Sequence, residues 1–249
     1  MKRRVRRLFA FAAAGVVSLT TGCTGTPPAG PQSGGIPASS WHAILIAGDS
    51  TSPAFDNGVE ALREKLQAHG VSDISVYSAD PASVPPERVS SSTNVRTALR
   101  SNGGAACFVF VTSHGSEDGF FLGADRRIIG PTFLDRALSE GCGAAPTVLI
   151  VSACHSGAFI NDDTRRPNRV ILAAAAVDRT SFGCGADNEF TWYDWCLLRQ
   201  FDGAATWGQL ALATRSCVEG LERRMGVSKA SQPQLFVGSH VSDLRLPGR

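Results

Sequence analysis

Two apolar stretches, each ending in a reactive side chain, determine how this sequence folds. Residues 107–115 read CFVFVTSHG, and residues 148–157 read VLIVSACHSG. Each begins with a run of apolar residues, the pattern of a strand that is buried on both faces of a sheet. The first stretch ends at His114 and Gly115, and the second ends near Cys154. We therefore expect an imidazole and a thiol at the ends of two buried strands.

The surrounding sequence alternates between strand and helix patterns. Short apolar runs predict six strands, at residues 42–47, 74–77, 107–112, 147–152, 170–177 and 234–237. Amphipathic spacing predicts helices at residues 55–69, 94–100, 131–140 and within 191–224, and a glycine turn predicts a hairpin at 119–129. This alternation predicts a single α/β domain in which helices cover both faces of a mostly parallel six-stranded sheet.

The ends of the two central strands carry groups that could perform nucleophilic catalysis. Ligands of open α/β sheets bind outside the carboxyl ends of the strands, and neighbouring strands are about 5 Å apart. If the strands are neighbours, the Cys154 thiolate could attack a carbonyl while His114 serves as general base and acid. The N–H groups of Gly115 and Cys154 could then form an oxyanion hole.

The two motifs resemble a known family. Residues 108–115 (FVFVTSHG) and 148–159 (VLIVSACHSGAF) are similar to the His-Gly and Ala-Cys motifs of the legumain-like cysteine peptidases, the peptidase C13 family. The resemblance covers most of the chain after the first 40 residues. It implies a caspase-like three-layer sandwich and a cysteine endopeptidase with His114 and Cys154 as its catalytic dyad. It implies no cofactor, and its substrates are peptides or proteins.

Two later segments extend the resemblance to the substrate pocket. Residues 171–188 and 190–195 are similar to the pocket strand of the family and the loop after it, which implies that Ser181 and Asp194 line the pocket. Asp56 stands near the rim, where legumain has basic residues that help to bind asparagine. Two carboxylates would favour Arg or Lys before the scissile bond, because an unpaired buried charge is costly. Alternatively, Asp56 only caps the first helix.

Two other functions compete with the peptidase hypothesis. Residues 44–51 (ILIAGDST) resemble the Gly-Asp-Ser block of SGNH-type serine esterases, with Ser50 as nucleophile. That family also needs an Asp-x-x-His near its C-terminus, whereas residues 239–241 read Ser-His-Val. The second alternative is a non-catalytic binding lipoprotein, because a fold does not fix a function. The presence of both His114 and Cys154 favours an enzyme.

The first residues predict export from a bacterial cell. Residues 1–22 combine five basic side chains with a short apolar run, which is typical of a signal peptide. The Arg6-Arg7 pair also resembles a twin-arginine signal. Residues 19–23 (LTTGC) resemble a lipobox, so we expect cleavage before Cys23 and lipidation of that cysteine; a plain secretory cut is the alternative.

The resulting protein would be a periplasmic or cell-envelope lipoprotein that meets the membrane through its lipid anchor at Cys23. Residues 23–40 are rich in Gly, Pro and Ser, and this composition predicts a flexible linker. The catalytic domain is expected to occupy residues 41–249.

Charge and composition exclude several other partners. Beyond residues 1–22, 19 Lys and Arg face 22 Asp and Glu, a net charge of −3. No basic stripe remains that could bind nucleic acid. The sequence has no CxxC or HExxH motif and only five His, so we expect no metal site.

The cysteines leave the disulfide pattern open. Five remain besides Cys23 and Cys154: Cys107, Cys142, Cys184, Cys196 and Cys217. An exported chain can form disulfides, and a bond between Cys184 and Cys196 would clasp the pocket loop. The odd number leaves at least one cysteine unpaired, and sequence alone does not determine the pairing.

Overall fold

A computed structural model of the protein describes residues 35–101 and 103–249. The predicted signal peptide, Cys23 and most of the predicted linker lie outside the described residues, so these stay predictions. Within the described part of the chain, none of the helices combines the length and the apolar character needed to cross a membrane.

Strands and helices alternate along this part of the chain. The strands are β1 (Trp41–Ala47), β2 (Asp73–Tyr77), β3 (Ala106–Thr112), β4 (Gly115–Ser116), β5 (Gly119–Leu122), β6 (Arg127–Ile129), β7 (Thr147–Ser152), β8 (Arg169–Ala173) and β9 (Gln234–Val237). The α-helices are α1 (Pro53–Ala68), α2 (Ser92–Arg100), α3 (Pro131–Gly141), α4 (Trp192–Phe201) and α5 (Trp207–Arg224). Hydroxyl side chains cap four of the helices at their first turn: Ser52, Ser91, Thr191 and Thr206.

The main sheet has six strands in the order β2-β1-β3-β7-β8-β9. All neighbouring pairs are parallel except β8 and β9, which are antiparallel. The prediction of a mostly parallel six-stranded sheet is therefore confirmed. The strands β3 and β7 are neighbours at its centre, as the proposed chemistry requires.

Helices cover both faces of this sheet. Phe108 and Ile150 pack with α1, α4 and α5 on one face, whereas Val109 and Leu149 pack with α2 and α3 on the other. Successive side chains of a strand point to opposite faces, so a strand covered on both sides is apolar at nearly every position. The three-layer α/β sandwich expected from the sequence is confirmed.

The strand predicted at residues 170–177 is shorter than expected. β8 ends at Ala173, and the chain then turns: the Ala175 carbonyl accepts from Gly157 N–H (2.7 Å), and Ala176 N–H donates to the Ser231 carbonyl (2.8 Å). Ala174 and Ala175 are nevertheless fully buried. An apolar run predicts burial, but a buried turn of small residues satisfies the same pattern.

The predicted hairpin forms β5 and β6, and it gains a third strand, β4, directly after His114. Phe121 N–H donates to the His114 carbonyl (2.9 Å), and the Ser113 hydroxyl donates to the Phe121 carbonyl (2.6 Å). These hydrogen bonds anchor the chain at Ser113 and His114 to the small sheet.

Two disulfides reinforce the helical layers. Cys107 of β3 bonds to Cys142 at the end of α3, and Cys196 of α4 bonds to Cys217 of α5. The possible Cys184–Cys196 bond does not form, because Cys196 lies in the core and bonds to Cys217 of α5. Cys184 lies in the loop before α4 and is free.

Candidate active site

The two central strands carry the candidate catalytic groups to one place. In the register of β3 and β7, Thr112 lies opposite Ser152. His114 follows two residues after the first of these and Cys154 two residues after the second. Both side chains line the same cavity at the carboxyl edge of the sheet. The adjacency of β3 and β7 thus converts a separation of forty positions along the chain into a shared site.

The cavity is small and lacks carboxylates. Its volume is about 10 Å³, room for roughly one water molecule. Its wall consists of Phe55, Ser113, His114, Ser152, Ala153, Cys154, Ser181, Phe182, Cys184 and Thr191. Apart from the imidazole and the two thiols, this wall offers only hydroxyl and apolar groups to a ligand.

The thiol of Cys154 rests against the backbone of Ser181. Ser181 N–H donates to Sγ (3.4 Å), and the thiol faces the Ser181 carbonyl (3.6 Å). Burial raises the pKa of Cys154, because a thiolate loses hydration there. The resting group is therefore a neutral thiol, which needs a base before it can act as a nucleophile.

His114 is held by residues from the start of α1 and the loop before it. The Thr51 hydroxyl lies 3.5 Å from Nε2, and the Phe55 ring meets the imidazole edge to face with centroids 5.1 Å apart. The buried carboxylate of Asp49 lies near enough to contribute to raising the pKa of His114. Asp49 in turn accepts from Thr51 N–H (2.7 Å), so this loop is ordered around the imidazole.

The strongest electrostatic partner of His114 is Cys184. Their interaction is the main cause that raises the pKa of His114, and it is also the main cause that lowers the pKa of Cys184. Each shift favours the charged form of its own group, because the imidazole and the thiol of Cys184 interact with each other. In the resting structure, the imidazole is thus engaged with a second thiol rather than with Cys154.

Gly115 fits the place expected for the oxyanion hole. A Cβ atom there would lie 2.4 Å from the Cys154 carbonyl oxygen and 2.9 Å from Cβ of Ala153. Only glycine allows this approach of the chain after β3 to the chain after β7. The backbones of Gly115 and Cys154 are therefore in close contact beside the candidate nucleophile.

Asp194 is located differently from the expectation. It is only 1% exposed, does not line the cavity, and accepts from the Thr112 hydroxyl (2.7 Å). The side chains of Ser152 and Thr191, which line the cavity, lie between it and the opening. Burial raises its pKa from an ordinary value near 3.8 to about 6. Asp194 thus supports the floor of the cavity, and a substrate cannot reach it directly.

Asp56 is also located outside the cavity. Its carboxylate faces Ser78 and Asp80, and burial raises its pKa. It is not the cap of α1 either, because the helix begins at Pro53 and the Ser52 hydroxyl accepts from Ala54 N–H (3.3 Å). Both interpretations of Asp56 given above are therefore corrected: it is a first-turn residue of α1 that faces the end of β2.

Of the remaining candidate residues, only Ser181 lines the cavity. Ser181 lines the cavity, where its backbone contacts Cys154. Ser50 is exposed and does not line the cavity, which disfavours the esterase alternative. His155 points away, with Nδ1 at 2.8 Å from the Val177 carbonyl.

The interaction of Cys184 with His114 could not be predicted from the sequence, which offered Cys184 only as a disulfide partner. Its Gly-Cys-Gly context (residues 183–185), in the segment similar to the pocket strand of the family, was the one available signal. Among residues 35–101 and 103–249, no three His, Cys, Asp or Glu side chains are arranged to hold a metal ion.

The fold is similar to that of solved caspase structures. Caspase-1 from Spodoptera frugiperda aligns with a TM-score of 0.56 at 12% sequence identity, over 80% of this chain and 86% of that chain. At this identity the likeness defines the fold alone, which is caspase-like.

Comparison of the sequence with protein families is more specific than the likeness in fold. Residues 88–205, which include His114 and Cys154, match the model of the Peptidase C13 family. This match and the caspase-like fold together confirm the resemblance to legumain-like, caspase-fold cysteine peptidases. The search of curated proteins finds no match to the chain.

Proposed function

We propose that the protein is an exported cysteine endopeptidase of legumain-like type that hydrolyses peptide bonds through an acyl-enzyme on Cys154. One observation carries the proposal: His114 and Cys154 follow adjacent parallel strands and line one cavity. The family of residues 88–205 supports the same chemistry.

The geometry supports the following sequence of steps. His114 takes the proton of Cys154 as the sulfur attacks the substrate carbonyl carbon, and the carbonyl oxygen becomes an oxyanion. The N–H groups of Gly115 and Cys154 are proposed to stabilise that oxyanion. His114 then protonates the leaving amine as the C–N bond breaks and a thioester forms. A water molecule, deprotonated by His114, hydrolyses the thioester and restores the thiol.

The residues around Cys154 also support a proposal about the substrate site. The backbone of Ser181 lies against the nucleophile, so we propose that this residue forms one wall of the peptide-binding site. Because Asp194 lies beneath the floor and Asp56 faces β2, the basis for a preference for Arg or Lys is absent. The hydroxyl and aromatic wall supports a neutral side chain before the scissile bond.

The dyad is tested by substitution and peptide cleavage. Cys154→Ala and His114→Ala should each lower kcat/KM by about a thousandfold or more, because each removes one half of the nucleophilic pair. Ser50→Ala and His240→Ala are matched controls, since both residues are exposed and neither lines the cavity. Activity that survives Cys154→Ala but is lost in Ser50→Ala would instead favour the serine esterase. Peptide binding without any turnover in the wild type would favour the non-catalytic lipoprotein.

We also propose that the mature protein begins at a lipid-modified Cys23. The short apolar run that ends at Gly22-Cys23 supports this proposal. Mass spectrometry of the membrane fraction should detect a diacylglyceryl group on the N-terminal peptide, and Cys23→Ser should release the protein from the membrane. An unmodified start at another residue would instead indicate plain secretion.

A further inference from the structure

Two free cysteines share the active-site cavity. Six cysteines lie in the described part of the chain, and four of them form the two disulfides. The two that remain free, Cys154 and Cys184, are both half-buried and both line the cavity. An exported protein that contains disulfides meets oxidising conditions. Cys154 and Cys184 are therefore exposed to oxidation, and their oxidation state would affect the proposed nucleophile.

The loop after β8 holds the second thiol close to the first. Ser181 contacts Cys154 Sγ through both its N–H and its carbonyl, and Cys184 follows only three residues later. Cys184 stands between Gly183, with a left-handed φ of 87°, and the exposed Gly185. Gly183 packs closely against Trp192, whereas the exposed Gly185 leaves the backbone on the other side of Cys184 freer to adjust.

His114 makes the two thiols chemically unequal. Its interaction lowers the pKa of Cys184, whereas burial raises the pKa of Cys154. Because the thiolate is the reactive form, Cys184 is the thiol that meets an electrophile first in the resting protein. Cys154 lies in the same cavity and can serve as the second, resolving thiol.

We propose that Cys184 is a thiol-modification site that accepts a small-molecule disulfide and transfers the bond to Cys154, closing a reversible Cys154–Cys184 disulfide. Formation of this bond does not depend on the proposed function. Only its expected effect does, because the bond would occupy the proposed nucleophile and inactivate the peptidase.

The exchange balances with a low-molecular-weight disulfide, R–S–S–R, as oxidant. The Cys184 thiolate attacks one sulfur, forms Cys184–S–S–R and releases a first thiolate. Cys154 then loses its proton to His114, attacks Sγ of Cys184 and releases the second thiolate. The two protons of the protein thiols go to the two released molecules of R–SH. The protein is oxidised by two electrons, R–S–S–R is reduced by two, and a dithiol reductant reverses both steps.

Chymotryptic peptide mapping detects the bond without any assay of activity. Cleavage after Leu149 and Phe159 releases IVSACHSGAF, in which Cys154 is the sole cysteine, and cleavage after Phe182 and Phe190 releases GCGADNEF with Cys184 alone. After the full-length exported protein is incubated with oxidised glutathione, these two peptides should be linked, and reduction should separate them. Peptidase activity should fall at least about tenfold in parallel and return on reduction.

Two variants test the order of the steps. In Cys154→Ser, a mixed disulfide with glutathione should accumulate on Cys184, because no resolving thiol is left. In Cys184→Ser, Cys154 should stay reduced, and the ratio of activity with and without oxidant should stay near one. Near-ultraviolet circular dichroism of each variant verifies folding.

The results of these experiments distinguish failure of the disulfide proposal from failure of the proposed function. Linked peptides, together with glutathione on Cys184 in Cys154→Ser, support the inference even if the wild type cleaves no peptide. Unlinked peptides in an active wild-type enzyme overturn the inference and leave the proposed function intact. Glutathione found on Cys154 in Cys184→Ser, with loss of activity, also overturns it, because Cys184 would then be unnecessary for oxidation.

Discussion

At the scale of single residues, His114 is shared between two sulfur atoms. In the resting protein its closest electrostatic partner is Cys184, and Thr51, Phe55 and Asp49 surround it on the side of α1. Catalysis by the proposed route requires the imidazole to accept a proton from Cys154. Binding of a substrate next to Cys154 therefore has to favour contact between His114 and Cys154 over contact between His114 and Cys184.

This arrangement predicts which thiol reacts first with a simple alkylating agent. At neutral pH, iodoacetamide should modify Cys184 before Cys154, because the imidazole lowers the pKa of Cys184. In His114→Ala, the reaction of Cys184 should require higher pH, approaching the ordinary thiol value of about 8.5. Mass spectrometry of the two chymotryptic peptides as a function of pH measures both rates. Identical pH profiles in the wild type and the variant would contradict the pairing.

Gly115 provides a second prediction at this scale. Gly115→Ala should lower kcat by about tenfold or more, because its Cβ would collide with the Cys154 carbonyl and displace the proposed oxyanion donors. Gly208→Ala is the matched control. That glycine lies in the first turn of α5 with no atom closer than 4.0 Å to the added Cβ. Steady-state kinetics and thermal melts of both variants separate a catalytic loss from a general loss of stability.

At the scale of elements, α4 is tied to the sheet through a buried carboxylate. The Thr112 hydroxyl at the end of β3 donates to Asp194 in the first turn of α4 (2.7 Å). On the other side, a Cβ added to Gly58 of α1 would lie 3.0 Å from Oδ2 of Asp194. The carboxylate therefore lies at the junction of α1, α4 and β3, next to the cavity that contains His114 and Cys154.

Asp194 predicts a pH dependence of stability. Its pKa is raised in the folded state to about 6, so folded protein binds this proton more tightly than the unfolded chain does. The resulting stability is complete below about pH 4 and is lost as pH rises through about 6, on the order of 3 kcal/mol in total. Asp194→Asn should flatten the dependence of unfolding free energy on pH over this range, whereas the exposed control Asp118→Asn should leave it unchanged. Denaturant titrations from pH 4 to about 8 measure it. Wild-type and Asp194→Asn profiles that run parallel across this range would show that Asp194 does not govern the dependence.

At the scale of the whole molecule, each of the two helical layers contains one disulfide. Cys107–Cys142 fastens the layer of α2 and α3 to the sheet, and Cys196–Cys217 fastens α4 to α5 in the opposite layer. Disulfides form in oxidising compartments, and the predicted export would take the protein to one.

Loss of one disulfide should therefore destabilise the folded protein substantially. We expect the double substitution Cys196→Ala and Cys217→Ala to lower the free energy of unfolding by about 2–4 kcal/mol, because it releases a constraint on the unfolded chain. The corresponding pair at positions 107 and 142 is the matched comparison in the other layer. Thermal and urea melts under non-reducing conditions measure both. Melts that superimpose on those of the wild type would show that the bonds contribute little to folding.

The sequence determined the sheet and the identity of the reactive groups. Strands buried on both faces are apolar at nearly every position, so β1, β3 and β7 could be recognised from local composition alone. The motifs at His114 and Cys154 were visible for the same reason: each directly follows such a strand. Local composition failed at residues 174–177, where Ala174 and Ala175 are buried in a turn and Val177 is half exposed.

Only the tertiary structure decided which side chains meet at the site. The pairing of His114 with Cys184, the burial of Asp194 under the floor and the outward direction of Asp56 all depend on how distant loops and helices pack. The same holds for the bond from Cys196 to Cys217 rather than to Cys184. Periodicity along a chain reports whether a residue is buried, because burial follows from its own element. Which partner it finds depends on the other elements that pack against it, and no local pattern encodes that.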